Sequence, residues 1–276
     1  MVVRETADRA GQLGPPPVAI PVAQSCAGLL LALASSGYDA EWLARVRRTY
    51  DLARRLLAGL HNGDGRPFVN HMVGLASLLH HYGQPPAVVI TGLLHSIYAN
   101  GDFGAFCSFA SAQALIRREV GPEVEACVSG FHRLAWNRRG IERHVREVAG
   151  YDAIDRACLV MRLANEIDHL LDDAVLYRSD GLQYLAVRTE RVPQYRTLAE
   201  TLGVSVIADD FERLLADVRT RSVPAALRES GARPLRLFSP SHGRTLVAVI
   251  RERLDALVPR RGPIGALRAR LWPPRG

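Results

Sequence analysis

Two histidines, His71 and His95, stand in two successive helical patterns of apolar residues. The turn Gly83-Gln84-Pro85-Pro86 separates those patterns, so the chain can fold back and let two imidazoles face one another. Imidazole changes its charge near neutrality more readily than other side chains, which suits general acid and base work. The plain alternative is a pair of buried histidines that only hold core hydrogen bonds. Arg66 precedes the first helix and could grip a carboxylate or phosphate through two parallel hydrogen bonds; a solvated turn arginine is the competing reading. Tyr98 follows His95 by three residues and could donate a phenolic proton, or sit at the edge of the core. Ser96 adjoins His95, but neighbours in sequence do not face each other on a helix. A serine nucleophile would therefore need His71 as its base and a third group to orient it. Asn165 and His169 are spaced i, i+4 and share one helix face, whereas Asp168 is expected to point elsewhere. Asn100, Asn165 and His169 would add neutral donors and acceptors around the same cavity, a setting suited to a polar small molecule.

The elements that must position these groups read as helices. Val73, Leu75, Ala76, Leu78 and Leu79 form a core-facing stripe. Val88 to Leu94 is almost wholly apolar and belongs to a buried helix. Helices are also predicted over 38–60, 111–120, 123–136, 151–177, 182–202 and 204–221, with basic turns or glycine breaks between them. Asn137-Arg138-Arg139-Gly140 reads as one such turn, and Gly101 to Gly104 as a loop. No alternation persuasive of a sheet is present, so the expected fold is all-α, a helical bundle with a C-terminal helical extension. The expected divisions are 1–37 as an arm with a short helix, 38–221 as the helical domain, and 222–276 as an extension carrying one helix, 244–257, and a basic tail.

The three stretches resemble a known superfamily. Asp64-Gly-Arg-Pro-Phe-Val-Asn-His71-Met-Val-Gly-Leu-Ala-Ser-Leu-Leu79, then Gly92-Leu-Leu-His95-Ser96, then Leu159-Val-Met-Arg-Leu-Ala-Asn165-Glu-Ile-Asp-His169 are similar to the HD-domain superfamily. Within it they look most like the hydrolase domains of Rel/SpoT-type (p)ppGpp enzymes, over roughly residues 45 to 175. The resemblance implies an HD-like bundle and a divalent metal held by two histidines and two aspartates. His71 and His95 fall on the histidine positions. Ser96 and Asn165 fall on the aspartate positions, and Asn100 on an acidic position that those hydrolases use in catalysis. Neutral groups do not balance a dication, and hard divalent ions prefer carboxylate and water oxygens. The expectation is therefore a cavity that kept its imidazoles, holds no metal, and needs no cofactor.

Composition narrows the class. The 276 residues, 48% apolar, suffice for one sizeable core. The formal charge is +7, and all 35 basic residues are arginine. No nucleic-acid motif accompanies that charge, so a nucleic-acid partner is not expected. Cys26, Cys107, Cys127 and Cys158 are scattered with no paired spacing, and the last three read as reduced core residues. Neither a signal peptide nor a membrane span is apparent, which predicts a cytoplasmic protein without membrane contact; a homodimer is left open. The function expected from the residues is a metal-independent enzyme of lyase, condensing or isomerase type. It would act on a small polar metabolite, in specialised metabolism, with His71, His95 and Tyr98 moving protons. Arg66, Ser96, Asn100, Asn165 and His169 would bind the substrate. The alternatives are a metal-dependent nucleotide phosphohydrolase and a non-catalytic small-ligand sensor.

Overall fold

A computed structural model describes residues 20–62, 65–104, 107–178, 180–221 and 223, with the side chains at 172 and 174 excepted. Residues 1–19 of the expected arm, the helix over 244–257 and the basic tail lie outside the described residues. Eleven α-helices are described: α1 (Cys26–Ser35), α2 (Ala40–Leu56), α3 (Phe68–His81), α4 (Pro86–Gly92), α5 (Ile97–Asn100), α6 (Phe109–Val120), α7 (Pro122–Arg133), α8 (Arg138–Glu147), α9 (Ala153–Asp168), α10 (Gly181–Leu202) and α11 (Ser205–Thr220). Two 3-10 turns, Val148–Gly150 and Leu171–Tyr177, join some of them. The described residues include no strand, and their one β-bridge pairs His61 with Pro67. The all-α expectation holds for them.

Helix starts follow local chemistry. A helix leaves its first N–H groups without partners, and a short polar side chain can accept from one. Asp39 Oδ1 accepts from Trp42 N at 2.8 Å, and Asp152 Oδ1 from Asp155 N at 2.8 Å. Pro86 and Pro122 each stand in the first turn of a helix, where a missing N–H costs nothing. Asn137 Oδ1 accepts from Gly140 N at 2.8 Å and starts α8. The expected basic turn at 137–140 is thus a cap followed by a helix. Its arginines line a strongly one-sided surface helix whose buried residues are Gly140, Ile141 and His144.

Helix α3 lies at the centre. Every residue from His71 to Leu79 is buried, so α3 is covered on all sides, chiefly by α4 and α9. Close approach is possible because two glycines lack a side chain. A Cβ on Gly92 would come within 3.0 Å of Ala76 Cα and 2.9 Å of Leu79 Cδ1. A Cβ on Gly74 would overlap Asp168 Oδ1 of α9.

Two helices expected from the apolar pattern end earlier than predicted. Helix α4 stops at Gly92, and His95 lies in the turn before α5. Helix α9 stops at Asp168 with His169 as its C-cap, and the next residues tighten into the 3-10 turn. Cys26, Cys127 and Cys158 are buried, but Cys107 is exposed, just before the N-cap of α6, and is not a core residue. Among the described residues no helix is long and apolar enough to cross a membrane.

Candidate functional site

Three segments converge at the end of α3. His71 lies in the first turn of that helix, and its ring meets His95 edge-on at a centroid distance of 5.0 Å. On another side it stacks against His169, also at 5.0 Å with the planes 25° apart. Phe68 packs edge-on against His71 at 5.5 Å, and Phe131 against His95 at 5.1 Å. The imidazoles are therefore walled by aromatic carbon, and His71 and His95 are buried.

Sequence reasoning missed the charge at the centre of this cluster. Asp168, with no exposed side-chain surface, sits with Oδ2 2.5 Å from His71 Nδ1. The same oxygen accepts from Arg66 Nη2 at 2.6 Å. The signal was present in the spacing: Asp168 follows Asn165 by three residues, and i, i+3 positions adjoin on a helix as i, i+4 positions do. Gly74, an otherwise unexplained gap in the apolar stripe of α3, is the complementary sign. Asp168 Oδ1 is buried without a hydrogen bond, packed where a larger residue at 74 would stand.

Electrostatics follow from this enclosure. Burial pushes the Asp168 carboxyl up, but the neighbouring His71, its hydrogen bond and the Arg66 guanidinium outweigh burial and hold it at about 2. Burial drives His169 down to about 3, with the nearby His71 acting in the same direction. Burial and then His71 likewise hold His95 well below its ordinary value. At neutral pH the cluster thus contains one carboxylate, one guanidinium and at least two uncharged imidazoles. The expectation of a cavity stripped of negative charge is corrected by Asp168.

The remaining predicted residues divide. Asn165 joins the cluster, with Nδ2 3.2 Å from His169 Nε2, while its Oδ1 is buried without a hydrogen bond. Arg66 is no solvated turn arginine, since its side chain is only 15% exposed and engaged with Asp168. Tyr98 turns elsewhere: its hydroxyl donates to the buried Glu125 at 3.0 Å, and its ring lies among Phe103, Phe109 and His132. The i, i+3 relation to His95 failed because a turn separates α4 from α5. Asn100 Nδ2 donates to the Ser96 carbonyl at 3.4 Å, a local contact within α5 and its cap. No described contact brings Ser96, Tyr98 or Asn100 to the histidines.

Beside the cluster, Glu166 is a structural brace. It is buried and accepts from Trp136 Nε1 at 2.8 Å, Tyr184 hydroxyl at 2.9 Å and Arg188 Nε at 2.8 Å. Burial raises this carboxyl, and Arg188 more than reverses the effect. That knot ties α9 to α10 and brings Tyr184 edge-on to His169 at 5.9 Å.

The residues present do not fit the metal site that the resemblance implies. By the resemblance Ser96 and Asn165 fall at its carboxylate positions, and Asp168, the carboxylate bonded to the cluster, shares its Oδ2 between His71 and Arg66. Among the described residues no group of three or more His, Cys, Asp or Glu side chains is placed to hold a metal ion.

Comparison with known proteins gives three findings. A family model described as "Domain of unknown function (DUF6817)" matches residues 53–135. The GTP pyrophosphokinases of Streptomyces coelicolor and Streptomyces antibioticus are each 26% identical to the chain over 175 residues, which is 62% of this chain and 19% and 20% of theirs. The match thus spans about a fifth of the length of these curated relatives. A solved structure described as "A metazoan ortholog of SpoT hydrolyzes ppGpp and plays a role in starvation responses" aligns with a TM-score of 0.43 and 14% identity, over 65% of this chain and 97% of that one. The sequence relatives are enzymes named for a nucleotide. That overturns the expectation of a metal-independent lyase or isomerase on a small polar metabolite, and with it the placement in specialised metabolism. The chain is thus similar to GTP pyrophosphokinases over 175 residues, beside the resemblance of the three motifs named above to HD domains.

Proposed function

We propose that the chain is a Rel/SpoT-like unit that binds a phosphorylated guanine nucleotide at the histidine cluster and hydrolyses a phosphate linkage on it. The observation that carries this reading is the convergence of His71, His95 and His169 with Arg66, drawn from the three motif segments, in a chain similar to GTP pyrophosphokinases. Arg66 supplies positive charge beside the cluster, and uncharged imidazoles can take a proton from an attacking water. No step is routed through a metal, because the donor set does not fit one.

A second reading, binding without turnover, is favoured by Ser96 and Asn165 standing where the resemblance calls for carboxylates. The test separates the two. The purified chain is titrated calorimetrically with GDP, GTP and guanosine 3',5'-bis-pyrophosphate, and phosphate or pyrophosphate release is followed with and without added Mn²⁺. The hydrolase reading expects both binding and release, and the His95→Ala variant binding at least about tenfold more weakly, a loss of about 1.4 kcal/mol. Binding without release in either condition selects the second reading. Binding of none of the three nucleotides contradicts both.

Tyr98 gives a negative control. Tyr98→Phe is expected to cost about 1 kcal/mol of stability through the lost bond to Glu125, which keeps its bonds from Gln113 and Arg117. Nucleotide affinity is expected to stay within about twofold, under the roughly 1.4 kcal/mol of a tenfold change. A tenfold loss in the same titration would return Tyr98 to the site.

A further inference from the structure

We propose that Asp168 is a positioning residue for His71: its carboxylate accepts a hydrogen bond from Nδ1 of that ring, which keeps its hydrogen there and leaves Nε2 as the unprotonated nitrogen. Its consequence for turnover rests on the hydrolase reading above; the state of the ring does not.

An ionised carboxylate only accepts hydrogen bonds. Asp168 Oδ2 lies 2.5 Å from His71 Nδ1, so that nitrogen must carry hydrogen. Arg66 Nη2 donates to the same oxygen at 2.6 Å and fixes it from a second direction. Gly74 completes the arrangement, since any Cβ there would overlap Oδ1 and expel the carboxylate. Three residues on separate elements thus hold one oxygen against one ring nitrogen. A neutral imidazole with hydrogen on Nδ1 has its lone pair on Nε2. The ring that bears it is packed between Phe68, His95 and His169 and cannot turn over without displacing them. His95 is held in the same sense by a different partner, its Nδ1 donating to the Gly92 carbonyl at 2.8 Å. Both rings therefore present the same kind of nitrogen, one set by a carboxylate and the other by the backbone. A carboxylate that orients a histidine and stabilises its protonated form is a recurring device for a base that must accept a proton during reaction.

The ring state is read directly by long-range ¹H–¹⁵N NMR of the ¹⁵N-histidine-labelled full chain at pH 7.5. The wild type is expected to show His71 with a protonated Nδ1 and a pyridine-like Nε2. Asp168→Asn retains an acceptor oxygen and is expected to keep that pattern. Asp168→Ala removes it, and the His71 signals should move toward the Nε2-protonated form. His95, fixed by Gly92, should not change, and so reports that the variant is folded. Hydrogen on Nε2, or on both nitrogens, of His71 in the wild type overturns the proposal, as does an unchanged His71 in folded Asp168→Ala. Should Asp168→Ala fail to fold, the wild-type spectrum decides alone. Where nucleotide turnover is found, Asp168→Ala is expected to lower kcat about 100-fold with KM changed less than about threefold, and Asp168→Asn to recover part of the loss. Absence of turnover in the wild type removes the hydrolase reading and leaves the ring-state result standing.

Discussion

Gly74→Ala is expected to destabilise the fold by about 3 kcal/mol or more. An added methyl in a tightly packed core costs about 1–3 kcal/mol through strain alone. Here the methyl would overlap Asp168 Oδ1, and the far end of that carboxylate is held by Arg66 and His71. Relief requires the carboxylate to leave them, and separating a buried ion pair costs about 3–5 kcal/mol because a charge is left without its partner. Urea unfolding of wild type and variant measures the difference. The origin is checked by adding Asp168→Ala: with the carboxylate absent, the methyl at 74 has room, so the double variant should be clearly less destabilised than the two single effects combined. A loss below about 0.5 kcal/mol for Gly74→Ala, the range of ordinary surface changes, would show that α3 and α9 are not in this close contact.

The second large effect is acid lability well above the carboxylate range. In the unfolded chain His169 takes up a proton as the pH falls through 6.5; in the fold it does so only near 3. Between those values the unfolded chain binds a proton that the folded chain refuses, so stability is intact above pH 6.5 and declines as the pH drops to about 3. At about 1.4 kcal/mol per pH unit, His169 alone would remove roughly 5 kcal/mol across that window, and His95, shifted in the same direction, adds to the decline. Asp168 contributes with the other sign of charge: its stabilisation is complete above 3.8 and is lost as the pH falls toward about 2. Unfolding midpoints measured from pH 8 to 4 should therefore fall steeply below 6.5, and His169→Asn should flatten the curve. A stability that is level from pH 7 to 4.5 would contradict the buried, uncharged state of these rings.

Much of the architecture was legible from local rules. Pro86 and Pro122 mark helix starts because proline lacks the donor that a first turn leaves unused. The apolar stripe of α3 and the buried run of α4 predicted a hairpin, and His71 and His95 do meet across it. What was not legible depends on contacts between distant segments. Nothing local ends α4 at Gly92; its close packing on Ala76 accompanies a turn that carries His95 toward α3 and Tyr98 away from it. Asp168 is expected to point elsewhere when the i, i+4 pair Asn165 and His169 defines the face, and its role appears only once Gly74 is seen to make space for it. The cap at Asn137 was hidden by the arginines after it, which suggested a turn although they occupy the outer face of α8. The motifs offer Ser96 and Asn165 as neutral groups at positions the resemblance gives to carboxylates, but not Asp168, the carboxylate that enters the cluster from a neighbouring position.

On the proposed function, the cluster of His71, His95 and His169 opens beside Arg66 to receive the phosphate of a nucleotide. A crystal structure of the full chain with guanosine 3',5'-bis-pyrophosphate, whose linkages are replaced by non-hydrolysable methylene groups, tests it most directly. Phosphate oxygens are expected within hydrogen-bonding distance of His71 Nε2 or the Arg66 guanidinium, with the Asp168–His71 contact kept. A nucleotide bound elsewhere on the chain, with the histidine cluster unchanged and closed, would contradict it.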